Sequence, residues 1–470
     1  MMRTSYRPAL RHAAGTFGVL IVVLSLTFVS RAGASATLLL EEPYGKLGFF
    51  TSTGHVAVYL SDVCAESPVV LRLCSPGEPG IVLSRYHGVG GYDWVAIPLI
   101  PYLYAVERPE DVPLFADAKM VAFLRDRYRR EYLEPVAPDV KNGETPGGNW
   151  YELVGSSYDR TIYGFEVETT AAQDEALIRK YNSAVNRSDF STFSKNCADF
   201  AKDVINFYYP KALHRSLVAD IGITTPKQLA KRLVKYSERH PEVQFSRIVI
   251  PQVPGSMPRS AVVHGVVESF FKSKKYIVPS AVVSPIFAGC VAAVYVGSGS
   301  GRFDPAHNAL VFNAAGEPET PMGREDRRSY RLELKHLLAG NAPRTRAGKN
   351  WRQLQSRAVI EIDEQGRPVL HLKVDEKPVS VGATATNILS SGAPPKLAEE
   401  LLLARLQAEL QQKAANRLSE SEVARDWGLL QQAMNEQGMP AEVRELSAKS
   451  TGRNAPVVSL RPENVSGNRP

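Results

Sequence analysis

Cysteine is scarce in this chain. Four occur in 470 residues, Cys64, Cys74, Cys197 and Cys290, and none stands in a Cys-x-x-Cys pair, which argues against a zinc site. Nucleic-acid motifs are missing too. The net charge of +7 is spread along the sequence, which speaks for an anionic envelope surface more than for nucleic acid. No internal repeat is evident, and no charged residue falls between Ile277 and Gly297. What remains is ordinary globular composition, 44% hydrophobic and 22% charged, with length for about two or three domains.

The first residues have the layout of a secretory signal peptide. Arg3, Arg7 and Arg11 precede an uncharged apolar run from about Gly18 to Val29, and Ala34-Ser35-Ala36 offers small residues for cleavage. Residues 1–36 are therefore expected to be a leader, with the mature chain beginning near Thr37 and lying outside the cytoplasm, in the periplasm or secreted. An uncleaved anchor helix is the other reading, for which the run is short. In an oxidising compartment Cys64 and Cys74 can pair across a hairpin, and Cys197 would have to stay reduced to act.

Residues 46–60 read as a strand. Val56, Val58 and Leu60 lie on one face, and His55, Ala57 and Tyr59 on the other. Val69 to Cys74 is a second strand, expected to form an antiparallel hairpin with the first. Further strands are expected at Ile81 to Tyr86, Asp93 to Ile97 and Thr161 to Glu168. Ala116 to Leu133 has helical periodicity with many arginines on the outer side, either a solvated face or a contact for anionic lipid or wall polymer. Pro135 to Asn149 is a Pro/Gly-rich loop, a lid or a linker. A helix from Ala171 to Val185 follows. The first domain, 37–240, is thus α+β.

Residues 241–300 carry an amphipathic helix at Ser260 to Lys272 and the uncharged segment 277–297, which either associates with a membrane or is buried in the core. Pro279, Pro285 and Gly289 stand against a spanning helix, as does the Lys272 to Lys275 cluster by the positive-inside tendency. Residues 301–395 are expected to be β-rich, with a hairpin at Ala358 to Val374. Residues 396–449 are expected to be helical, amphipathic from Lys396 to Arg417 and suited to a protein partner, with Ser419 capping a second helix. Residues 450–470 read as a disordered tail.

Chemistry centres on Ser191 to Asn206. Ser194 or Asn196 can cap a helix whose apolar positions Ala201, Val204 and Tyr208 share a face with Cys197, while Asp199, Lys202, Asp203 and Asn206 fall on the other. A thiol at a helix start is drawn toward thiolate by unpaired N–H groups and the dipole. A lone cysteine on an apolar face is more often a small buried hydrophobe. A nucleophile also needs a base, and His55 is the best candidate; His87, in a glycine-rich loop, fits less well.

Together, His55, Ala57 and Tyr59 in the first motif and Asn196, Cys197 and Phe200 in the second resemble the circularly permuted papain-fold thiol hydrolases. That is the NlpC-type superfamily with its lecithin retinol acyltransferase-like branch. The resemblance covers about residues 45–210. It implies an antiparallel sheet packed against the cysteine-bearing helix, followed here by a mixed C-terminal region ending in helices. It also implies Cys–His chemistry on amide or ester bonds without a cofactor, with cell-wall peptides or acyl lipids as substrates. Asn196 and Cys197 would open the oxyanion site. Arg72 stands where the family usually has a histidine or amide that orients the base. Arginine donates only and could not accept the second N–H of His55. The long spacing implies an insertion around 105–150. The alternative is a non-catalytic envelope binding or assembly protein that keeps the scaffold.

Overall fold

A computed structural model describes residues 33–45, 52–187, 190–191, 194–314, 316–339, 351, 353–374, 376–387, 390–391 and 419. The strands in chain order are β1 (Ser35–Glu41), β2 (His55–Leu60), β3 (Val63–Ser67), β4 (Val70–Leu73), β5 (Ile81–Ser84), β6 (Val95–Pro98), β7 (Ile162–Glu168), β8 (Ser246–Ile250) and β9 (Leu310–Val311). Seven of them form one sheet in the order β6-β5-β2-β1-β7-β8-β9. Its pairings are antiparallel except β8 with β9. The chain is α+β, as its sequence implies.

The centre of the sheet is a strand that the sequence reading does not find, lying across the expected boundary between leader and mature chain. β1 is buried at every position and pairs with both β2 and β7. A strand covered on both faces carries a run of apolar residues without alternation, so it does not stand out beside an apolar leader. Ser35 and Ala36, placed before the expected mature start, are paired within this strand. Of the strand expected over 46–60, only His55–Leu60 is strand, and 46–51 lie outside the described residues.

Helices α1 (Leu99–Tyr104), α2 (Ala118–Tyr132), α3 (Ser156–Asp159), α4 (Ala171–Ser183), α5 (Cys197–Tyr208) and α6 (Pro226–Ser237) surround the sheet. Leu38, Leu40, Val56 and Val58 pack with Phe200, Val204 and Leu229 of α5 and α6. Leu39 and Ala57 face a second core with Tyr102, Leu103, Met120 and Leu124 of α1 and α2.

The expected hairpin between the first and second strands does not form. β2 pairs with β1 and β5, while β4 pairs with β3, the strand between them. The Cys64–Cys74 disulfide closes that smaller β3–β4 ribbon. The arginines of α2 are not all outward either. Arg125 is buried and bonds Asp159 at 2.5 Å, and Arg129 is fully buried between Asp126 and Asp139. Arg130 ties the following loop down through Asp139 at 2.8 Å, and Val136 and Ala137 of that loop are in the core.

The sheet does not stop at residue 240. β8 and β9 extend it, and a second antiparallel sheet packs on the α1–α2 side. That sheet comprises β10 (Val359–Ile362), β11 (Pro368–Val374), β12 (Lys377–Gly382) and β13 (Ser390–Ser391), and Leu370, Leu372, Val379 and Val381 share a core with Tyr102. The expected hairpin at 358–374 is β10–β11.

Among residues 241–300, the expected Ser260–Lys272 helix begins only at α7 (Val266–Lys272). The uncharged segment is neither a buried strand nor one long helix. It forms α8 (Lys274–Val283) and α9 (Pro285–Ser298), broken where Pro285 cannot continue the first helix. Most of its side chains face outward, and no helix among the described residues is long and apolar enough to cross a membrane. The region 301–395, expected to be β-rich, also contains α10 (Arg324–Ala339). The expected leader residues 1–32, the helices in 396–449 and the tail 450–470 lie outside the described residues, apart from Ser419, which bridges to Pro321.

Candidate functional site

Asn196 fixes the start of α5. Its side chain accepts the Asp199 N–H at 2.9 Å and donates to the Thr224 carbonyl at 3.2 Å, so one amide caps the helix and ties it to the segment leading into α6. Apolar Ala201, Val204 and Tyr208 are buried as the periodicity predicts, but Asp199 is buried with them instead of facing solvent. Its carboxylate takes hydrogen bonds from Thr224 at 2.7 Å and Arg215 at 2.8 Å. Burial opposes its ionisation, but these partners outweigh burial and hold the group below its usual range.

Cys197 and His55 sit on opposite faces of the sheet, and their positions at element ends bring them to one cleft. α5 packs on the face of Val56 and Val58, whereas His55 belongs to the Ala57 face. Cys197 opens its helix and His55 opens its strand, so both line a cavity of about 480 Å³ with Asn196, Tyr86 and Arg85. Pairing of β5 to β2 covers only Val58–Leu60, and the Val56 N–H, beyond it, reaches the Cys197 sulfur, as does the Ala198 N–H. Gly54 makes the entry to β2 possible. It has φ +69°, and a Cβ there would lie 2.1 Å from the Glu41 carbonyl oxygen.

The electrostatics differ from the expected thiolate. Burial pushes the Cys197 thiol up to about 11, against the two N–H groups that favour the anion. His55 is pushed well below its ordinary value, first by burial and then by the Arg160 guanidinium. At neutral pH the resting pair is a thiol and a neutral imidazole. His55 stacks on Tyr86 with ring centroids 4.1 Å apart and planes 10° off parallel, and its Nε2 is buried with no hydrogen-bond partner among the described residues.

Around His55 lies a buried polar network that the sequence reading did not find. Glu41 is the cross-strand partner of His55. Its carboxyl accepts the Tyr102 hydroxyl and pairs with Arg160 at 3.0 Å; Arg160 in turn bonds Glu152 at 2.9 Å and lies 4.4 Å over the Tyr44 ring. Burial pushes Glu41 up to about 7, although Arg160 and Tyr102 pull it down. The available signal was a glutamate ending an apolar run, legible only once that run is taken as a strand.

The structure brings together His55, Asn196 and Cys197 but not Arg72. Arg72 lies on the β3–β4 ribbon with a partly exposed guanidinium paired to Glu78 at 2.6 Å, and it lines no part of the cleft. His87, set aside in the sequence, does line it. Among the described residues the one cluster of three potential metal ligands is Cys64, Cys74 and Glu78, and its two sulfurs are already joined to each other. Comparison with protein-family models, with curated proteins and with solved structures finds no match for this chain.

Proposed function

We propose that the chain is an exported thiol hydrolase or acyltransferase of papain-like, permuted architecture, acting on amide or ester bonds through Cys197 and His55. The observation that carries this reading is that Cys197, at the start of α5, and His55, at the start of β2, line one cleft together with the capping Asn196. The neutral resting pair makes His55 a general base rather than half of a preformed ion pair. As the sulfur attacks the acyl carbonyl, the thiol proton passes to the imidazole. N–H groups at the helix start stabilise the oxyanion. The proton then goes to the leaving amine or alcohol, and water or another acceptor resolves the thioester. Cell-wall peptides and acyl lipids are the two substrate classes. Export is supported by the Cys64–Cys74 disulfide, since such bonds persist in oxidising compartments.

The test is hydrolysis of chromogenic esters and short peptide amides by wild type, Cys197→Ala, His55→Ala and His87→Ala. Activity is expected to vanish in the first variant, to fall at least about a hundredfold in the second, and to survive in the third. In wild type it should already be on its plateau at pH 7, because His55 is neutral there. Iodoacetamide labelling of Cys197 should rise toward an alkaline midpoint. Turnover unchanged in Cys197→Ala sinks the reading.

The thiol's elevated value favours one alternative, a non-catalytic envelope protein that keeps the cleft for binding or assembly. That reading predicts no turnover and Cys197 labelling that is indifferent to His55→Ala.

A further inference from the structure

Exposed apolar side chains gather around the α8–α9 hairpin. Val282, Val283 and Ile286, at its turn, are 79%, 83% and 83% exposed, and Phe287 follows at 50%. No charged residue occurs from Tyr276 to Gly301. The loop before α6 adds exposed Leu217, Val218 and Ile221. It lies beside the end of α9 away from the turn, where Val218, Val294 and Ser298 line one groove of about 590 Å³. An isolated surface valine needs no explanation, but a contiguous group of this kind marks an interaction face.

The polar residues around that face have a consistent sign. Lys231, Arg232 and Lys235 of α6 line the same groove. Lys274 and Lys275 open α8, at the end away from its turn. Two carboxylates lie nearby, and both are committed: Asp220 accepts the Val266 N–H at 2.8 Å, and Glu268 pairs with Lys227 at 2.7 Å and Lys272 at 2.8 Å. Tyrosines stand beside the lysines, with Lys275 over the Tyr276 ring and Lys272 over the Tyr295 ring. Apolar residues at a turn, with tyrosine and lysine toward the other end, suit the passage from hydrocarbon to headgroups. Length agrees. At about 1.5 Å per residue, α8 and α9 are about 15 and 21 Å long, enough for one leaflet and short of the ~30 Å core.

We propose that the α8–α9 hairpin docks this protein on an anionic phospholipid surface. The turn from Val282 to Phe287 enters one leaflet, while Arg232, Lys235, Lys274 and Lys275 meet the headgroups, with the Leu217–Ile221 loop beside them at the interface. The proposal does not depend on the thiol chemistry.

Vesicle flotation tests it, using the chain from Gly33 onward, which keeps the described elements and omits an apolar leader that would itself bind lipid. Wild type is expected to float with vesicles of equal phosphatidylcholine and phosphatidylglycerol, and more weakly with phosphatidylcholine alone. The double variant Val283→Asp/Ile286→Asp changes only exposed positions and should lose at least about tenfold in partitioning. Lys274→Gln and Lys275→Gln should each lose about fivefold on the anionic vesicles and nothing on the neutral ones. In a Cys197→Ala background, an environment-sensitive fluorophore on the exposed Cys290 should shift blue with the anionic vesicles. Wild type that stays below the vesicles, or a double variant that binds as wild type does, overturns the proposal. A concentration-dependent dimer that the double variant abolishes, without vesicle binding, would assign the face to a second copy of the chain instead.

Discussion

Among the buried carboxyls, Glu41 couples the interior of this protein to pH near neutrality. Glu41 is fully buried, and its folded value of about 7 lies above the ordinary 4.5, so the folded chain holds this proton more tightly than the unfolded one. The stability it contributes is complete below about pH 4.5 and is lost as pH rises through 7. The loss of stability due to this group therefore runs from about pH 4.5 to about pH 7, and it is read as the difference in urea midpoint between wild type and Glu41→Gln; a difference that does not change with pH would place the proton elsewhere. Asp174, raised to about 6 mainly by burial, adds to the decline at lower pH, while His55, held well below the ordinary 6.5, opposes it by taking up a proton on unfolding. Arg160 is the counterpart. Arg160→Ala would leave Glu41 without its charge partner, a change that costs about 3–5 kcal/mol for a buried pair. Arg72→Ala, by contrast, removes a surface pair remote from the cleft. It should leave both the melting midpoint and Cys197 labelling at their wild-type values.

Two elements depend on features at their ends. The Asn196 amide is the N-cap of α5, and Asn196→Ala should cost about 1 kcal/mol in denaturant unfolding and slow any reaction at Cys197. The β3–β4 ribbon is closed by a disulfide with a sequence separation of 10, and Cys64→Ala/Cys74→Ala should lower stability by about 2–3 kcal/mol while leaving the remote cleft intact. β1 sets the other boundary. Cleavage after Ala36 would remove Ser35 and Ala36 from the central strand, whereas Ala32-Gly33-Ala34 provides a small-x-small site that leaves β1 whole. If the chain is exported as proposed, N-terminal sequencing of the exported form should read from Ser35; a first residue of Thr37 would mean the strand forms without its first two positions.

At the scale of the whole molecule, the second sheet is part of the same packing as the first. Leu370 is 1% exposed and shares a core with Tyr102 and Leu124, on the far side of the main sheet from α5. Leu370→Ala should cost about 2–5 kcal/mol and lower a single cooperative transition. Separate transitions, with the signal from α5 unmoved, would show that the two sheets unfold independently.

Local pattern determined much of this protein. The alternation at His55–Leu60, the caps at Thr170 and Asn196, and the 3.6-residue spacing of α5 follow from backbone geometry, which acts over a few residues and is written in them. Strand partners were not legible, because pairing is a contest among distant segments. The tight β3–β4 turn and the fully apolar β1 displaced the hairpin that proximity favoured. Tertiary structure alone decided that His55 and Cys197 meet at the ends of their elements from opposite faces of the sheet. It also decided that Glu41 and Arg160 stand beside them and that burial raises the thiol. Those outcomes depend on which groups the whole fold removes from water, and no local spacing encodes that.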